Sequence, residues 1–489
     1  MPSGNGVGGR RRMSTATTEY IDNYTPAVAV PHGKSAAKTR WGSATFTTLF
    51  ILAHLPLAYA AVHISYVSTL HAVATFAVGI WCAAFGKRLM RVAYVGAYIV
   101  GSEVFWRMNH AHIFWEAGKY ALVIIFVIAA WRARRQKSSP LPFIYFALLI
   151  PSIMITITNL DLSTARNAIS FNLSGPLALA ASVWFFSKIK ITPSQFRGIL
   201  LALIGATMAV AGRTMLWTMT AKAIDFGNRS NFTTSGGFGP NQVASILGLG
   251  ALASFIYLMD RKVSPSLRFV FFCTMTLYAT QSALTLAREG VYEFALGMIL
   301  YVILQSRDSR SGLQFAVIGI VVFFIASRLL LPHLEHFTGG EFGARFDNTN
   351  PTGRGAIIMD DIQVWRDNPL FGIGPGRSMY YHENSMFENA EAAHTEFSRL
   401  LAEHGLLGLL ALFVLAAMFI SAIRKAQSRR ARALTICLAS YAFAFMAVAA
   451  MRIAAPSFIF GLATATFVNA RKREPLPSAD TPVALAGEA

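Results

Sequence analysis

Residues 196–213 read FRGILLALIGATMAVAGR, an apolar run with an arginine near each end and no other charge. As a helix the run is about 27 Å long, close to the roughly 30 Å hydrocarbon thickness of a bilayer. Similar runs recur at 45–63, 67–85, 89–106, 113–131, 141–157, 174–188, 241–259, 267–287, 290–305, 313–331, 400–423, 434–451 and 453–469. Several are near the shortest length that spans, so the expectation is an all-α, polytopic membrane protein of 12–14 transmembrane helices. Composition agrees: of 489 residues 54% are hydrophobic and 14% charged, against about 25% charged in soluble domains. The net charge of +19 would suggest nucleic acid in a soluble chain. Here the excess sits in short connections between apolar runs, so membrane lipid is the expected partner and nucleic acid is not.

Those connections orient the chain. Lys87-Arg88, Arg132 to Arg135, Lys188 to Lys190, Arg261-Lys262, Arg307 to Arg310 and Arg424 to Arg432 fill every second connection, the placement of cytoplasmic loops. The long connections, 214–240 and 332–398, fall on the other side. The second holds no lysine, four arginines and ten carboxylates, and is expected outside. Residues 1–44, with Arg10-Arg11-Arg12, and 471–489, opening on Arg471-Lys472-Arg473, read as disordered cytoplasmic tails. Between them lie a helical bundle (45–331), the large loop (332–398) and C-terminal helices (399–470). Cys82, Cys273 and Cys437 lie inside apolar runs and read as packing residues.

Within the large loop, Ile358, Ile362 and Trp365 follow i, i+4, i+7 and stop at Asn368-Pro369, which predicts an amphipathic helix over 354–367. Gly372-Ile373-Gly374-Pro375-Gly376 cannot sustain a helix and predicts a tight turn. A second helix is expected from about Glu388 through His394 into the next span. His394 would then lie about 9 Å beyond Leu400, at headgroup depth, with His404 further along the same helix as a silent neighbour.

Several elements around this loop carry a family likeness: Leu286-Ala287-Arg288, Gly353-Arg354 with Trp365 and Asn368-Pro369-Leu370, the Gly372–Gly376 turn, Ala393-His394-Thr395-Glu396-Phe397, and Glu403-His404-Gly405-Leu406-Leu407-Gly408. Together they resemble the shared region of the O-antigen ligase and O-antigen polymerase superfamily, and Gly237-Phe238-Gly239-Pro240-Asn241 resembles a further element of it. Thr395 stands where that family usually has asparagine. The resemblance implies a glycosyltransferase of the bacterial inner membrane with a periplasmic active site. Its donor would be O-antigen polysaccharide on undecaprenyl diphosphate, and its acceptor, for a ligase, a sugar hydroxyl of lipid A–core oligosaccharide.

Such chemistry needs a base for the acceptor hydroxyl and positive charge for the departing diphosphate. Histidine titrates near neutrality, so His394 can take the proton; an interfacial hydrogen-bonding histidine is the simpler alternative. Arg288 interrupts an apolar stretch on the outer side, against the positive-inside bias, and a guanidinium suits phosphate. Arg213 and Arg354 join it as diphosphate candidates, although Arg354 shares its loop with ten carboxylates and an ordinary ion pair is its default. Arg229, Arg377, Asn241 and Glu396 are candidate substrate contacts. The histidine and carboxylate spacings match no metal-ligand pattern, so neither metal nor other cofactor is expected. Glu116 and Lys119, ionisable groups within a span, are best read as an i,i+3 ion pair. Three alternatives remain: a polymerase, a protein oligosaccharyltransferase, and a lipid-linked oligosaccharide flippase, for which substrate groups would gather at mid-membrane.

Overall fold

The computed structural model describes residues 44–136, 138–227, 229–260, 262–305, 330–347, 354–382 and 395–468, with 324 and 328 besides. Both tails and most of the 313–331 run lie outside these residues. The first helices are α1 (Ala44–Leu52), α2 (His54–His63), α3 (Tyr66–Phe85), α4 (Met90–Met108), α5 (Ala117–Arg132), α6 (Leu141–Ala147) and α7 (Ile153–Asn159). Next come α8 (Leu162–Phe186), α9 (Pro193–Thr220), α10 (Pro240–Leu258), α11 (Pro265–Leu284) and α12 (Arg288–Gln305). The large loop holds α13 (Leu331–Phe337), α14 (Glu341–Asp347), α15 (Arg354–Asp367) and a 3-10 turn at Ser378–Tyr381. The chain then forms α16 (Glu396–Lys425), α17 (Arg429–Ala449) and α18 (Ala455–Ala463). The described elements are otherwise limited to a two-residue parallel pairing, β1 (Lys190–Ile191) with β2 (Thr466–Phe467).

This is a multi-pass membrane protein. Among the described residues seven segments are long and apolar enough to cross a bilayer: Ala44–His63, Tyr66–Phe85, Leu162–Phe186, Pro193–Thr220, Pro240–Leu258, Glu396–Lys425 and Arg429–Ala449. Charge keeps α4 (Arg91, Glu103, Arg107) and α12 (Arg288, Glu289, Glu293) out of that group, and α5 has only 16 residues. The expected span at 141–157 is two short helices, α6 and α7. The one expected at 174–188 starts instead at Leu162, because the Asp161 carboxylate caps the helix by accepting from the Thr164 N–H at 3.0 Å.

Buried α9 and α10 form the centre of the bundle, with α1 to α3 on its periphery. A Cβ on Gly248 would lie 2.3 Å from the carbonyl oxygen of Gly290, so α10 and α12 meet backbone to backbone. That contact fixes the start of α12. Basic connections gather at one end: Arg132 donates to the carbonyls of Ala83 (2.7 Å) and Gly86 (2.9 Å), Lys188 to that of Gln136 (2.8 Å), and Arg197 and Arg430 share Asp260 at 2.8 and 3.4 Å.

Between α17 and α18 the chain turns inside the bundle, with Ala450 at φ 50°. Side chains from three other helices satisfy the turn. The carbonyls of Met451 and Arg452 accept from Lys119 Nζ (3.2 Å) and Arg107 Nη1 (3.0 Å), while the N–H groups of Met451 and Ala454 donate to Glu396 (3.3 Å) and Glu103 (2.6 Å). Without them, buried backbone groups would each cost several kcal/mol in an apolar surround. Lys119 also pairs with Glu116 as the sequence suggested, and Arg107 pairs with Glu103 at 2.7 Å.

Candidate active site

The turn between α11 and α12 is held open in an uncommon shape, with Leu286 at φ 54°. The preceding long connection is laced onto it. Asn231 N–H donates to the Thr285 carbonyl (2.7 Å), the Thr234 hydroxyl to that of Leu284 (2.6 Å), and Gln281 back to that of Thr234 (2.9 Å). The result is a fixed platform from which α12 begins at Arg288. Behind it, α14 lays Phe342 against Leu286, beside Leu334 of α13.

Three guanidinium groups meet around this platform. Arg345 of α14, buried, donates Nε to the Leu286 carbonyl at 3.1 Å. Burial, and after it the charge of Arg288, pull its guanidinium below the ordinary arginine range; Arg354 acts in the same direction and Glu289 against it. Arg354, first residue of α15, pairs with buried Glu289 on the first turn of α12. Chain segments far apart in sequence thus bring Arg288, Arg345 and Arg354 to one place, with Glu289 among them.

At the far end of α15 the glycine turn closes onto α16. Gly372, Gly374 and Gly376 all have positive φ (66°, 92° and 80°), a region open to glycine at little cost. Ile373 and Gly374 N–H groups donate to the carbonyls of Ala402 and Glu403, both at 3.0 Å. The receiving helix is itself broken at Gly405 (φ 61°, ψ −136°), and its Leu406 N–H returns to the Pro369 carbonyl at 2.7 Å. Below the turn, Arg399 stands between Glu396 (2.5 Å) and Glu403 (2.7 Å), all three buried, and also donates to Asn172 at 3.2 Å. The other oxygen of Glu403 accepts from Gly376 N–H (2.8 Å) and the Ser378 hydroxyl (3.2 Å). Buried Asp361 ties α15 to both neighbours, through His382 at 3.0 Å and Ser398 at 2.5 Å.

Residues 268–413 match the family model for O-antigen ligase. This stretch is similar to O-antigen ligases. It includes the arginine platform, the glycine turn and the Glu396–Arg399–Glu403 group. No curated protein matches the chain.

Within the matched stretch the sequence-derived candidates separate. Arg288 and Arg354 come together. His394 lies outside the described residues; Thr395, which follows it, is extended (φ −112°, ψ 134°) and caps α16 by accepting from the Phe397 N–H. So α16 begins at Glu396, and the expected helix does not run unbroken through Thr395 into the span; its part from Glu388 to His394 lies outside the described residues. Glu396, an expected substrate contact, is fully buried and pairs with Arg399 and the Met451 N–H. Arg377 holds its own turn by donating to the Ile373 carbonyl at 3.0 Å. The turn's N–H groups at Ile373, Gly374 and Gly376 are taken by α16, so the turn is a closure, the simpler of its two readings. His404 is fully buried, its Nδ1 joined to the Ser152 hydroxyl.

Outside the matched stretch, Arg213 lies over the ring of Trp217, 4.2 Å from its centroid, and donates Nε to Asn109 at 3.1 Å, leaving Nη1 buried without a partner. Arg229 is exposed on the 214–240 connection, and Asn241 is half-buried at the start of α10. The predicted amphipathic helix is α15, but its buried face is Ile357, Asp361 and Val364, not the expected Ile358, Ile362 and Trp365. The face turned by one position because Asp361 is drawn inward by its two partners. Arg345, Arg399 and Glu403 were missed. For the latter two a signal exists: Glu396, Arg399 and Glu403 fall at i, i+3, i+7 on one helical stripe.

Proposed function

We propose that the protein transfers O-antigen polysaccharide from undecaprenyl diphosphate to a sugar hydroxyl of lipid A–core oligosaccharide, at the periplasmic face of the inner membrane. The observation that carries this reading is the meeting of Arg288, Arg345 and Arg354 at the α11–α12 turn. Permanently charged planar donors, one buried and two half-buried, suit a diphosphate, whose charge grows as the glycosidic bond breaks. The basic connections converge at the opposite end of the bundle, which supports placing the arginines outside.

His394 takes the proton of the attacking hydroxyl. It directly precedes the residue that caps α16, whose first turns are anchored by Arg399 and Asp361, and a base needs such a rigid neighbour to stay in reach of its proton. Arg288 and Arg345 bind the diphosphate oxygens, with Arg354 positioned by Glu289.

The lipopolysaccharide pattern after deletion of the gene is the test. Core without polymer, while polymer persists on the carrier lipid, is the expected result. Core bearing a single repeat would replace the ligase reading by a polymerase. With purified components, Arg288→Lys keeps charge but loses the fork, and ligation should fall at least about tenfold, since a hydrogen bond to a charged group contributes about 1.5–3 kcal/mol. An unchanged rate would refute the diphosphate role.

A further inference from the structure

The same end of the bundle holds a cavity of about 840 Å³ that none of the three clustered arginines lines. Its volume falls in the range of ligand sites, about 300–1,000 Å³. The wall comes from the α4–α5 turn and the start of α5, the first half of α8, the end of the glycine turn with the segment after it, and Glu403 of α16. They contribute the rings of Trp115, Tyr120 and Tyr380 and the polar side chains of Asn167 and Ser170. Trp115 and Tyr380 are about half exposed (50% and 52%); the Arg107 guanidinium covers one face of Trp115, 4.7 Å from the ring centroid, and the Tyr120 hydroxyl is steadied by Ser170 at 3.1 Å.

The electrostatics of the wall decide what fits. Two carboxylates reach it, Glu116 and Glu403, and both are matched by buried cations, Lys119 and Arg399. Arg166 is exposed on the wall and has no carboxylate within ion-pair distance among the described residues. One spare positive charge beside two fixed carboxylates is a poor match for a diphosphate. Aromatic faces are electron-rich and attract the electropositive C–H faces of pyranose rings, while amide and hydroxyl groups answer sugar hydroxyls in both directions. A belt of interfacial aromatics would be spread around the perimeter; these rings converge on one concavity.

The reacting sugar of the donor is bonded to its diphosphate and has to sit at the arginines. Helix α15 is about 21 Å long, with Arg354 at its first residue and the glycine turn that leads into the cavity wall beyond its last. We propose that the cavity binds the acceptor saccharide through sugars remote from its attacking hydroxyl, which itself reaches the donor sugar at the arginines: one ring stacked on Tyr380 and packed against Trp115, hydroxyls on Asn167 and Ser170, and an acidic substituent on Arg166. The assignment to the acceptor rests on the reading that the arginine platform holds the donor.

Calorimetric binding to the purified full-length protein in detergent tests this, with two probes: deacylated lipid A–core oligosaccharide, and a repeat-unit oligosaccharide released from the polymer. Tyr380→Ala and Asn167→Ala should each weaken the core oligosaccharide by about tenfold or more, the loss of about 1.4 kcal/mol, and Tyr380→Phe should bind as the parent does. Arg166→Gln should weaken the phosphorylated core and leave its dephosphorylated form unaffected. Parental affinity in both alanine variants, selective loss of the repeat-unit oligosaccharide, or no binding of core oligosaccharide to the parent would each overturn the proposal. The donor reading fails separately, by unchanged binding of the lipid-linked polymer in Arg288→Lys.

Discussion

Three glycines allow backbone strain and backbone contact to be weighed apart. A Cβ on Gly227 meets nothing within 4 Å, and no positive φ constrains it; Gly339 is equally open but has φ 64°. Gly372 combines φ 66° with a Cβ position 2.4 Å from the Glu403 carbonyl carbon and 2.5 Å from both the Ala402 oxygen and the His404 nitrogen. Those atoms belong to the backbone that receives the Ile373 and Gly374 N–H groups, so they cannot retreat without breaking two hydrogen bonds at 3.0 Å. Gly227→Ala should therefore be neutral, and Gly339→Ala should cost about 1–2 kcal/mol for the left-handed conformation. Gly372→Ala should add about 1–3 kcal/mol of overpacking and about 1 kcal/mol for each hydrogen bond lost, a total of about 4–7 kcal/mol. Membrane proteins often unfold irreversibly, so the assay is the order of thermal midpoints in one detergent at one scan rate. If Gly372→Ala melts with Gly339→Ala, the close docking of the turn on α16 is wrong.

His394→Ala should lower ligation by about 10²–10⁴-fold with donor-lipid binding intact, measured as initial rate with purified lipid-linked polymer and core; retention of more than about a tenth of the rate returns His394 to an interfacial role. For orientation, a cysteine placed at Met359, which is 61% exposed, on a background without the three native cysteines, should react with a membrane-impermeant thiol reagent in cells whose inner membrane is intact. Reaction only after that membrane is opened would reverse the orientation.

Much of the bundle was legible because apolar length is a local property: α3, α9, α10 and α17 fall where the hydropathy runs place them. Breaks inside runs were harder to see. Gly405 is one glycine in an apolar stretch, and only its docking partner at Gly372 makes it a break. At the site, Arg288 and Arg354 were marked by the motifs around them. Arg345 was one of four arginines in a carboxylate-rich loop, and what singles it out is a carbonyl contributed by Leu286, remote in sequence. Asp361 was hidden for a related reason, since a carboxylate is read as the wet side of a helix until the histidine and serine that bury it are known.

The buried turn at 450–454 has a consequence for biogenesis. Lys119 donates to a carbonyl 332 residues later in the chain, and at about 5–20 residues per second that carbonyl is made about 17–66 s after the lysine. Through this interval Glu103, Arg107, Glu116 and Lys119 are already made, and their partners are one another, the Trp115 carbonyl and, as they follow, Ser174 and Gln242. Their mutual pairing acts as a holding arrangement for insertion, which the last two helices then cap when they arrive.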